Sequence, residues 1–376
     1  MRIAIITFFE NGNLGSELQA YALREFCKNG GHECFLCAIK PKTSIQKIVS
    51  KSRKILTGLF IKLVHSEYRS LEKAIKNNLR LQYVTDSSAL EYVKNWSREN
   101  NDIVQLTKGE FCKDQFECYI CGSDQIWSPA IIPLRTELYL KGIKKCKKVA
   151  YAPSIGMDWI PQYYLKRVFP LIADFKALSF REIQSVQMCE ENGLHAELVL
   201  DPTLLVGKKF WDARTVEVAD KCDQYKGNFY LCYFLGKPCK ETIQELNQIG
   251  KNNKIYVVNT TELAEQICNA EYLQVNPIEF VYMISIAKRV LTDSFHGAVF
   301  SIIYHKSVRI YQRTYDPKIA QKSRIASLLT LLGIEKNYSE TANALELFPD
   351  DYNRVDEIIQ IYQEKSREYL ENALGN

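Results

Sequence analysis

Residues 3–15 read Ile-Ala-Ile-Ile-Thr-Phe-Phe-Glu-Asn-Gly-Asn-Leu-Gly, and this stretch decides the fold class. The first seven of these residues form the largely apolar run that a strand buried on both faces requires. A glycine-containing turn follows at 10–15, and apolar residues then recur at helical spacing from Leu18 to Phe26. Asn29-Gly30-Gly31 ends this helix, and residues 33–39 predict a second strand. The opening is therefore a βαβ unit, whose turn lies where open α/β sheets bind ligands.

The same alternation of strand and helix continues along the chain and then repeats. The first series ends at Asp201-Pro202, and a second series begins near Phe229. Two doubly wound lobes with a cleft between them are the simplest α/β architecture for this pattern. We place the first lobe at 1–206, with a basic helical insertion at about 41–110, and the second at 207–345. Residues 346–376 contain one long helix, which we expect to pack back on the first lobe.

Composition excludes several classes of protein. About 46% of the residues are hydrophobic and 25% are charged, which are globular values and argue against disorder or fibrous repeats. No apolar run reaches the roughly 18 residues of a membrane span, and the first residues lack the features of a signal peptide. The twelve cysteines fit a reducing compartment, so we expect a cytoplasmic protein. The net charge of +5 gives no indication of nucleic acid, and we expect no such partner.

Two Cys-x-x-Cys pairs, Cys34/Cys37 and Cys118/Cys121, need an explanation. Both fall in predicted strands, where residues i and i+3 point to opposite faces, so neither pair can close on one zinc ion. Thioredoxin-like chemistry requires its pair at a helix start, which neither pair has. We therefore expect structural cysteines and no metal site.

Polar residues follow two predicted strands of the first lobe. Gly122-Ser123-Asp124-Gln125 suits the lining of a cleft, where Asp124 either accepts a proton, orients a sugar hydroxyl or caps the next helix. Ser179 and Arg181 stand at a strand-to-helix junction. There Arg181 either meets an anion with its planar fork or pairs with Glu182 on the surface.

The strongest local pattern is Thr292-Asp293-Ser294-Phe295-His296-Gly297, between a predicted strand and a predicted helix. Asp293 or Ser294 is a natural N-cap, so His296 lies in the first helical turn. There the helix dipole disfavours the imidazolium form, whereas a bound dianion favours it. Such a histidine suits proton transfer during turnover, and the alternative is a residue that only packs.

Taken in order, six motifs resemble the polysaccharide pyruvyl transferase family. They are Gly12-Asn13-Leu14-Gly15 with Leu18-Gln19-Ala20-Tyr21-Ala22-Leu23, Gly122-Ser123-Asp124-Gln125-Ile126-Trp127, Tyr151-Ala152-Pro153-Ser154-Ile155-Gly156, Ser179-Phe180-Arg181-Glu182, Asp201-Pro202-Thr203-Leu204-Leu205 and Asp293-Ser294-Phe295-His296-Gly297. Each motif is short, but six in the right order over nearly the whole chain are specific.

The resemblance implies a GT-B-like fold of two Rossmann-type lobes. It also implies transfer of a pyruvyl group from phosphoenolpyruvate to two hydroxyls of a sugar, which forms a cyclic ketal in a cell-surface polysaccharide or its lipid-linked precursor, without a cofactor. By motif, Arg181 matches the donor-binding arginine and His296 the catalytic histidine, and we expect Asp124 to orient the acceptor. Further expected donor contacts are Ser179, Ser294, Gly297 and Arg324, and expected cleft-lining residues are Asn13, Gly15, Gln19, Gly122, Ser123 and Gln125.

One position departs from the family's pattern. Members often carry Arg two positions before the histidine, where this chain has Ser294. We expect Arg324 to supply the donor's second cationic partner, with Arg313 as the weaker choice. Two alternatives stay open: a nucleotide-sugar-dependent GT-B glycosyltransferase, although no ribose-binding Glu is evident, and a non-catalytic member of the family.

The positive charge is concentrated in one segment. Between Lys40 and Arg80 the chain has eleven Lys or Arg and two acids, a local net charge of +9, so the rest carries about −4. Within it, Ser44–His65 predicts a basic amphipathic helix. This helix fits either a lid over the first lobe or peripheral contact with the inner face of the membrane, where a lipid-linked acceptor would lie. The sequence does not indicate an oligomeric state.

Overall fold

The computed structural model describes residues 1–39, 66–111, 113, 115–131, 134–313, 322–334, 338–339 and 344–375. The predicted helix at Ser44–His65 lies outside the described residues.

The first lobe is built on a sheet of seven parallel strands in the order β3-β2-β1-β4-β5-β6-β7. The strands are β1 (Arg2–Ile6), β2 (Glu33–Ile39), β3 (Ile103–Leu106), β4 (Cys118–Cys121), β5 (Lys147–Ala150), β6 (Ala177–Phe180) and β7 (Glu197–Leu198). The helices are α1 (Leu14–Asn29), α2 (Ser66–Leu79), α3 (Ser87–Asn100), α4 (Lys108–Phe111), α5 (Gln162–Ile172), α6 (Ile183–Glu191) and α7 (Pro202–Leu205).

The second lobe is built on a sheet in the order β10-β9-β8-β11-β12-β14-β13, in which only the last two strands are antiparallel to their neighbours. The strands are β8 (Phe229–Tyr233), β9 (Lys254–Val258), β10 (Ala270–Leu273), β11 (Arg289–Thr292), β12 (Ser307–Tyr311), β13 (Tyr338–Ser339) and β14 (Ala344–Leu347). The helices are α8 (Gly207–Cys222), α9 (Lys240–Gly250), α10 (Thr261–Ala264), α11 (Pro277–Ile286), α12 (Phe295–Ile303), α13 (Lys322–Leu331) and α14 (Val355–Leu374).

Both sheets therefore follow the same doubly wound order around their first strand. The chain continues to one side of β1 and then crosses to β4 on the other side, and it does the same around β8 and β11. Ligands of such sheets bind outside the carboxyl ends of the strands at this switch point. The predicted GT-B-like architecture of two Rossmann-type lobes is confirmed.

The paired cysteines lie on opposite faces of the first sheet, as predicted. Cys34 and Cys118 pack with Ile3 and Ile5 in one buried cluster. Cys37 and Cys121 belong to a separate cluster, which includes Ala4 and Ile6 on the other face of β1. The strand pleat thus separates the thiols of each Cys-x-x-Cys pair.

Helix α14 contacts both lobes. Val355 and Ile359, near its start, belong to the core cluster that is centred on the second lobe. Near its end, Tyr369, Leu370 and Leu374 pack into the first lobe beside β1 and β2. No helix in the described part of the chain is both long and apolar enough to cross a membrane.

The region expected as an insertion at about 41–110 is partly integral to the first lobe. Strand β3 extends the sheet beside β2, from Leu36 paired with Ile103 to Ile39 paired with Leu106. Helix α3 reaches the second lobe, because the Tyr92 hydroxyl donates to Glu279 Oε1 over 2.6 Å. Residues 86–110 are too polar for their sequence pattern to predict β3 and α3.

Candidate active site

The N-termini of α1 and α12, one from each lobe, meet at the two switch points. Asn13 caps α1, with its Oδ1 accepting the Gly15 N–H over 3.0 Å, and Ser294 caps α12, with its Oγ accepting the Gly297 N–H over 3.3 Å. His296 packs directly on Gly15, where a Cβ atom would lie 2.1 Å from the imidazole Nδ1. Two positive helix ends and one imidazole therefore share a small space, which suits an anion.

Arg181, in the bend between β6 and α6, is buried among carboxylates. Its Nη1 donates to Asp201 Oδ2 over 2.5 Å and its Nη2 to Asp124 Oδ1 over 3.4 Å. Burial alone would lower the pKa of Arg181, but the charges of Asp201, Asp124 and Glu182 raise it above its usual value. The guanidinium lies 4.4 Å from the ring centroid of Phe295, a residue of the other lobe.

Asp201, the N-cap of α7, is the carboxylate that the two lobes share. Besides Arg181, its Oδ2 accepts the Ser123 hydroxyl over 3.3 Å and lies 3.6 Å from His296 Nε2, while Oδ1 accepts the Thr203 N–H. Burial alone would raise the pKa of Asp201, but attraction to His296 and Arg181 holds it well below the usual range. Asp201 therefore stays ionised between Arg181 of its own lobe and His296 of the other lobe.

Asp124 is the second carboxylate of this cluster and lies just after β4. Its Oδ2 accepts the Ser16 hydroxyl of α1 over 2.7 Å. Burial would raise the pKa of Asp124, whereas the charges of Arg181 and His296 and the Ser16 hydrogen bond lower it below its usual value. The site thus contains a fixed arrangement of ionised groups rather than solvated side chains.

Two buried nitrogens of the cluster lack a hydrogen-bond partner among the residues that the structure describes. They are Nε of Arg181, which has only an ion-pair contact of 3.8 Å to Glu182 Oε1, and Nε2 of His296, which has only its 3.6 Å contact to Asp201. Unsatisfied buried polar atoms are rare in folded proteins and are common where a ligand or water completes the hydrogen bonding. The two nitrogens lie in different lobes on either side of Asp201, so they mark the cleft between the lobes as the place where a ligand would bind.

The two further arginines considered from the sequence have different surroundings. Arg313 donates from Nε to Asp293 Oδ2 over 2.9 Å, and the Asp293 carboxylate also accepts the N–H groups of Leu235 and Gly236. Arg324 is buried on α13, and burial together with the like charges of Arg313 and Arg181 lowers its pKa to about 10. Arg324 therefore stays cationic at neutral pH in the neighbourhood of Arg181.

Some predicted contact residues lie behind the cleft rather than in it. Ser179 is fully buried in the sheet, where its hydroxyl donates to Ala150 O over 2.8 Å. The buried Gln19 amide donates to Phe8 O and Ser16 O and accepts the Ser123 N–H. These hydrogen bonds occupy the polar groups of Ser179 and Gln19. The two residues therefore position α1 and the strand ends and do not face the cleft.

The other predicted residues are placed as follows. Gly122 packs on the Tyr151 carbonyl, 2.0 Å from where its Cβ would lie, and Gln125 donates to Gly156 O over 3.2 Å. Gly297 packs on Thr292, whose Oγ1 would lie 2.6 Å from a Cβ at that position. These three residues shape the walls of the site through backbone approach and local hydrogen bonds.

Three residues that contribute to the cluster were not predicted from the sequence. The sequence places Asp201 at the end of a strand and in one motif of the family resemblance but gives it no role at the site, although Asp followed by Pro is also a helix start signal. Ser16 gave no signal beyond being polar in a first helical turn. Phe295 was interpreted as part of the histidine motif, and its contact with Arg181 depends on the approach of the two lobes.

The described part of the chain contains no group of three or more His, Cys, Asp or Glu residues that could hold a metal ion.

Comparisons with known proteins complete the description of the site. The profile of the family described as "Polysaccharide pyruvyl transferase" matches residues 13–312. No curated protein matches the sequence. Similar solved structures include UDP-GlcNAc 2-epimerase from Neisseria meningitidis bound to UDP-GlcNAc, at 11% identity, TM-score 0.49 and 100% coverage of both chains. Another is an S. aureus MnaA–UDP co-structure, at 10% identity, TM-score 0.48 and coverage of 100% of this chain and 97% of the other.

Proposed function

The chain belongs to the polysaccharide pyruvyl transferase family, and from this premise we propose that it transfers the enolpyruvyl carbons of phosphoenolpyruvate to two hydroxyls of one sugar. One hydroxyl proton converts the donor's methylene carbon to methyl, and the two sugar oxygens form bonds to the central carbon. The bond from that carbon to the phosphate oxygen breaks, and inorganic phosphate leaves with the second proton. The products are a cyclic pyruvate ketal and phosphate, and the balance requires no cofactor.

The single observation that carries this proposal is the cross-lobe cluster of Arg181, Asp201 and His296, in which two buried nitrogens have no hydrogen bond among the described residues. The donor has a carboxylate and a phosphate on one carbon, and each group needs donors or positive charge. The cluster offers a guanidinium nitrogen and an imidazole nitrogen that have no hydrogen bond among the described residues, together with two helix N-termini. A dianionic or trianionic donor fits this combination better than a neutral sugar does.

Arg324 supports the same interpretation. Its charge is buried near the like charges of Arg313 and Arg181, which lower its pKa. An anion bound between Arg181 and Arg324 would relieve that repulsion. We therefore propose Arg324 as the second cationic contact of the donor, in place of the arginine that Ser294 replaces.

His296 is the proposed acid that protonates the methylene carbon, and Asp201 the residue that orients it. The Nε2 to Oδ2 distance of 3.6 Å is longer than a hydrogen bond, so Asp201 acts on His296 through its charge and leaves the Nε2 proton available to the donor. Asp201 would then stabilise the positive imidazole. Asp124, fixed by Ser16, is the proposed group that orients the sugar hydroxyls.

The test follows phosphate release from phosphoenolpyruvate with a panel of sugars and lipid-linked glycans. We expect His296→Gln to lower the rate by roughly 10²–10⁴-fold, the usual contribution of a positioned acid or base. His305→Gln is the matched control, because His305 is an exposed histidine that pairs with Asp356 on the surface. Full activity in His296→Gln would remove that residue from the chemistry.

Donor choice is tested separately by ligand-induced stabilisation. Phosphoenolpyruvate should raise the unfolding temperature of the wild-type protein, and UDP-sugars should not. Stabilisation by a UDP-sugar without stabilisation by phosphoenolpyruvate would overturn the proposed donor and favour a glycosyltransferase.

A further inference from the structure

Helix α2 and the connection that follows it expose apolar side chains. The exposed fraction is 60% for Leu79, 39% for Leu81 and 81% for Val84. These are three of the six large hydrophobic residues that are exposed in the described part of the chain, and they lie within six positions of one another. Clustering of exposed apolar residues marks an interaction site more often than single exposed residues do.

Cationic side chains are exposed along the same helix. Arg69, Lys73 and Lys76 are exposed on α2 at spacings of four and three residues, so they lie along one side of the helix. Arg80 is exposed directly after the helix ends and continues this row beside Leu79. We call the set the α2 surface; it consists of Arg69, Lys73, Lys76, Leu79, Arg80, Leu81 and Val84.

The second lobe fixes the connection that carries the apolar tips. The Lys237 N–H donates to Leu81 O over 2.6 Å, and the Tyr83 N–H donates to Leu235 O over 3.0 Å. The Asp86 carboxylate accepts the N–H and hydroxyl of Thr261. Because the backbone is held on both sides of Val84, its exposed side chain is part of an ordered surface rather than of a loose tip.

The connection of the α2 surface lies against the loop after β8, at the carboxyl edge of the second sheet. Its connection pairs with residues 235–237, and the N–H of Gly236 donates to Asp293, which precedes the α12 cap Ser294. Whatever the α2 surface binds is therefore brought close to the carboxyl ends of the second sheet.

We propose that the α2 surface docks on an anionic lipid bilayer. Positive charge alone would fit any polyanion, but Leu79, Leu81 and Val84 add apolar area that a bilayer buries at its acyl boundary and a soluble polyanion does not. Basic side chains around apolar tips match the negative headgroups and the acyl boundary of such a membrane. Binding itself does not depend on pyruvyl transfer; the consequence that the bilayer presents a lipid-linked sugar to the cleft rests on the proposed function.

Flotation of the full-length protein with vesicles tests the proposal without any substrate. Wild-type protein should float with phosphatidylglycerol-containing vesicles and not with pure phosphatidylcholine. We expect R69E/K73E/R80E to lower the bound fraction at least about tenfold and L79S/V84S to lower it several-fold. All five positions are exposed, so the variants should keep the wild-type unfolding temperature, which is measured alongside.

Matched controls separate the α2 surface from general charge and hydrophobicity. K240E/K251E/K288E makes the same charge change at exposed lysines of the second lobe, and V216S/I361S removes two exposed apolar side chains elsewhere. Both should float like wild type.

Three results of the flotation experiment would contradict the bilayer proposal in whole or in part. Wild-type protein that does not float, or R69E/K73E/R80E that floats like wild type, overturns the proposal. If the charge variant loses binding but L79S/V84S keeps it in full, the protein attaches through headgroup charge alone, and the proposed burial of Leu79 and Val84 at the acyl boundary is wrong. If the wild-type protein binds vesicles but releases no phosphate from phosphoenolpyruvate, only the proposed function is contradicted.

Discussion

The two lobes place an aspartate at the same point of the same topology but give it different partners. Asp293 follows β11 and is satisfied within its own lobe by two backbone N–H groups and Arg313. Asp124 follows β4 and holds Ser16 of α1, with only a long contact to Arg181. Arg181 in turn depends on Asp201, which lies against the histidine of the other lobe.

Position in the fold alone therefore does not make a site. The Asp293 cluster is closed, because each oxygen of that carboxylate has a partner in the second lobe, and it stabilises the loop after β8. The first-lobe cluster is open, because two of its buried nitrogens lack a hydrogen-bond partner among the described residues and its charges extend across the cleft. An open cluster costs stability and can be completed by a ligand.

The largest expected effect comes from removing the arginine of each cluster. Arg181→Ala leaves Asp124 and Asp201 buried without their cation, which should lower the free energy of unfolding by about 3–5 kcal/mol. Arg313→Ala leaves Asp293 with its two backbone donors and should cost about 1.5–3 kcal/mol, the range for one hydrogen bond to a charged group. Urea unfolding of both variants measures the difference.

The conservative variant Arg181→Lys sharpens this test. Lysine keeps the charge but cannot reach both carboxylates with one planar fork, so stability should be largely retained while donor binding weakens. Equal destabilisation by Arg181→Ala and Arg313→Ala would show that the two clusters do not differ as argued.

The two helix starts at the cleft also differ in charge. Glu17 lies in the first turn of α1 and is fully buried, and burial raises its pKa to about 7, whereas α12 has no acidic residue in its first turn. A carboxyl group with a raised pKa adds stability at low pH that is lost as pH rises towards 7, because the folded state holds the proton longer than the unfolded state does. The ionised group at pH 8 should cost on the order of 3 kcal/mol.

Glu17→Gln should therefore be more stable than the wild type at pH 8, and the advantage should shrink at pH 5. Thermal unfolding of both proteins at the two pH values measures this, with Glu99→Gln on α3 as an exposed control that should have no effect. A pH-independent difference would mean that Glu17 does not titrate in this range.

The role of Asp201 beside His296 can be compared with that of Asp356, which pairs with His305 on the surface. Asp201→Asn removes the negative charge that faces His296 Nε2, and we expect kcat to fall about 10–100-fold, or roughly 1.4–2.7 kcal/mol of activation free energy. Asp356→Asn removes the partner of His305, 2.9 Å away on the surface, and should leave kcat unchanged. A change in KM alone for Asp201→Asn would mean that the carboxylate serves donor binding through Arg181 and not proton transfer.

The sequence predicted what local patterns determine and missed what only the fold brings together. Alternating apolar runs and the cap before His296 are local, so both lobes and the start of α12 were found. Asp201 is distant in sequence from Arg181 and His296, and no periodicity connects the three. Ser179, at a predicted strand-to-helix junction, is an expected donor contact, but the alternation of β6 turns its hydroxyl towards Ala150 within the sheet.

The smallest expected effect concerns the two caps themselves. Asn13→Ala and Ser294→Ala each remove a side-chain acceptor from a helix N-terminus, and each should cost about 1 kcal/mol of unfolding free energy. The Asn13 loss should be the greater, because its hydrogen bond is shorter and its Oδ1 also accepts the Tyr233 hydroxyl across the lobes at 3.5 Å. Urea unfolding measures which of the two variants loses more stability. Gly at each position is the second substitution, because it also removes the side chain but adopts the cap conformation readily. A Ser294→Ala protein that loses several times more stability than Asn13→Ala would mean that the hydroxyl at 294 does more than cap α12.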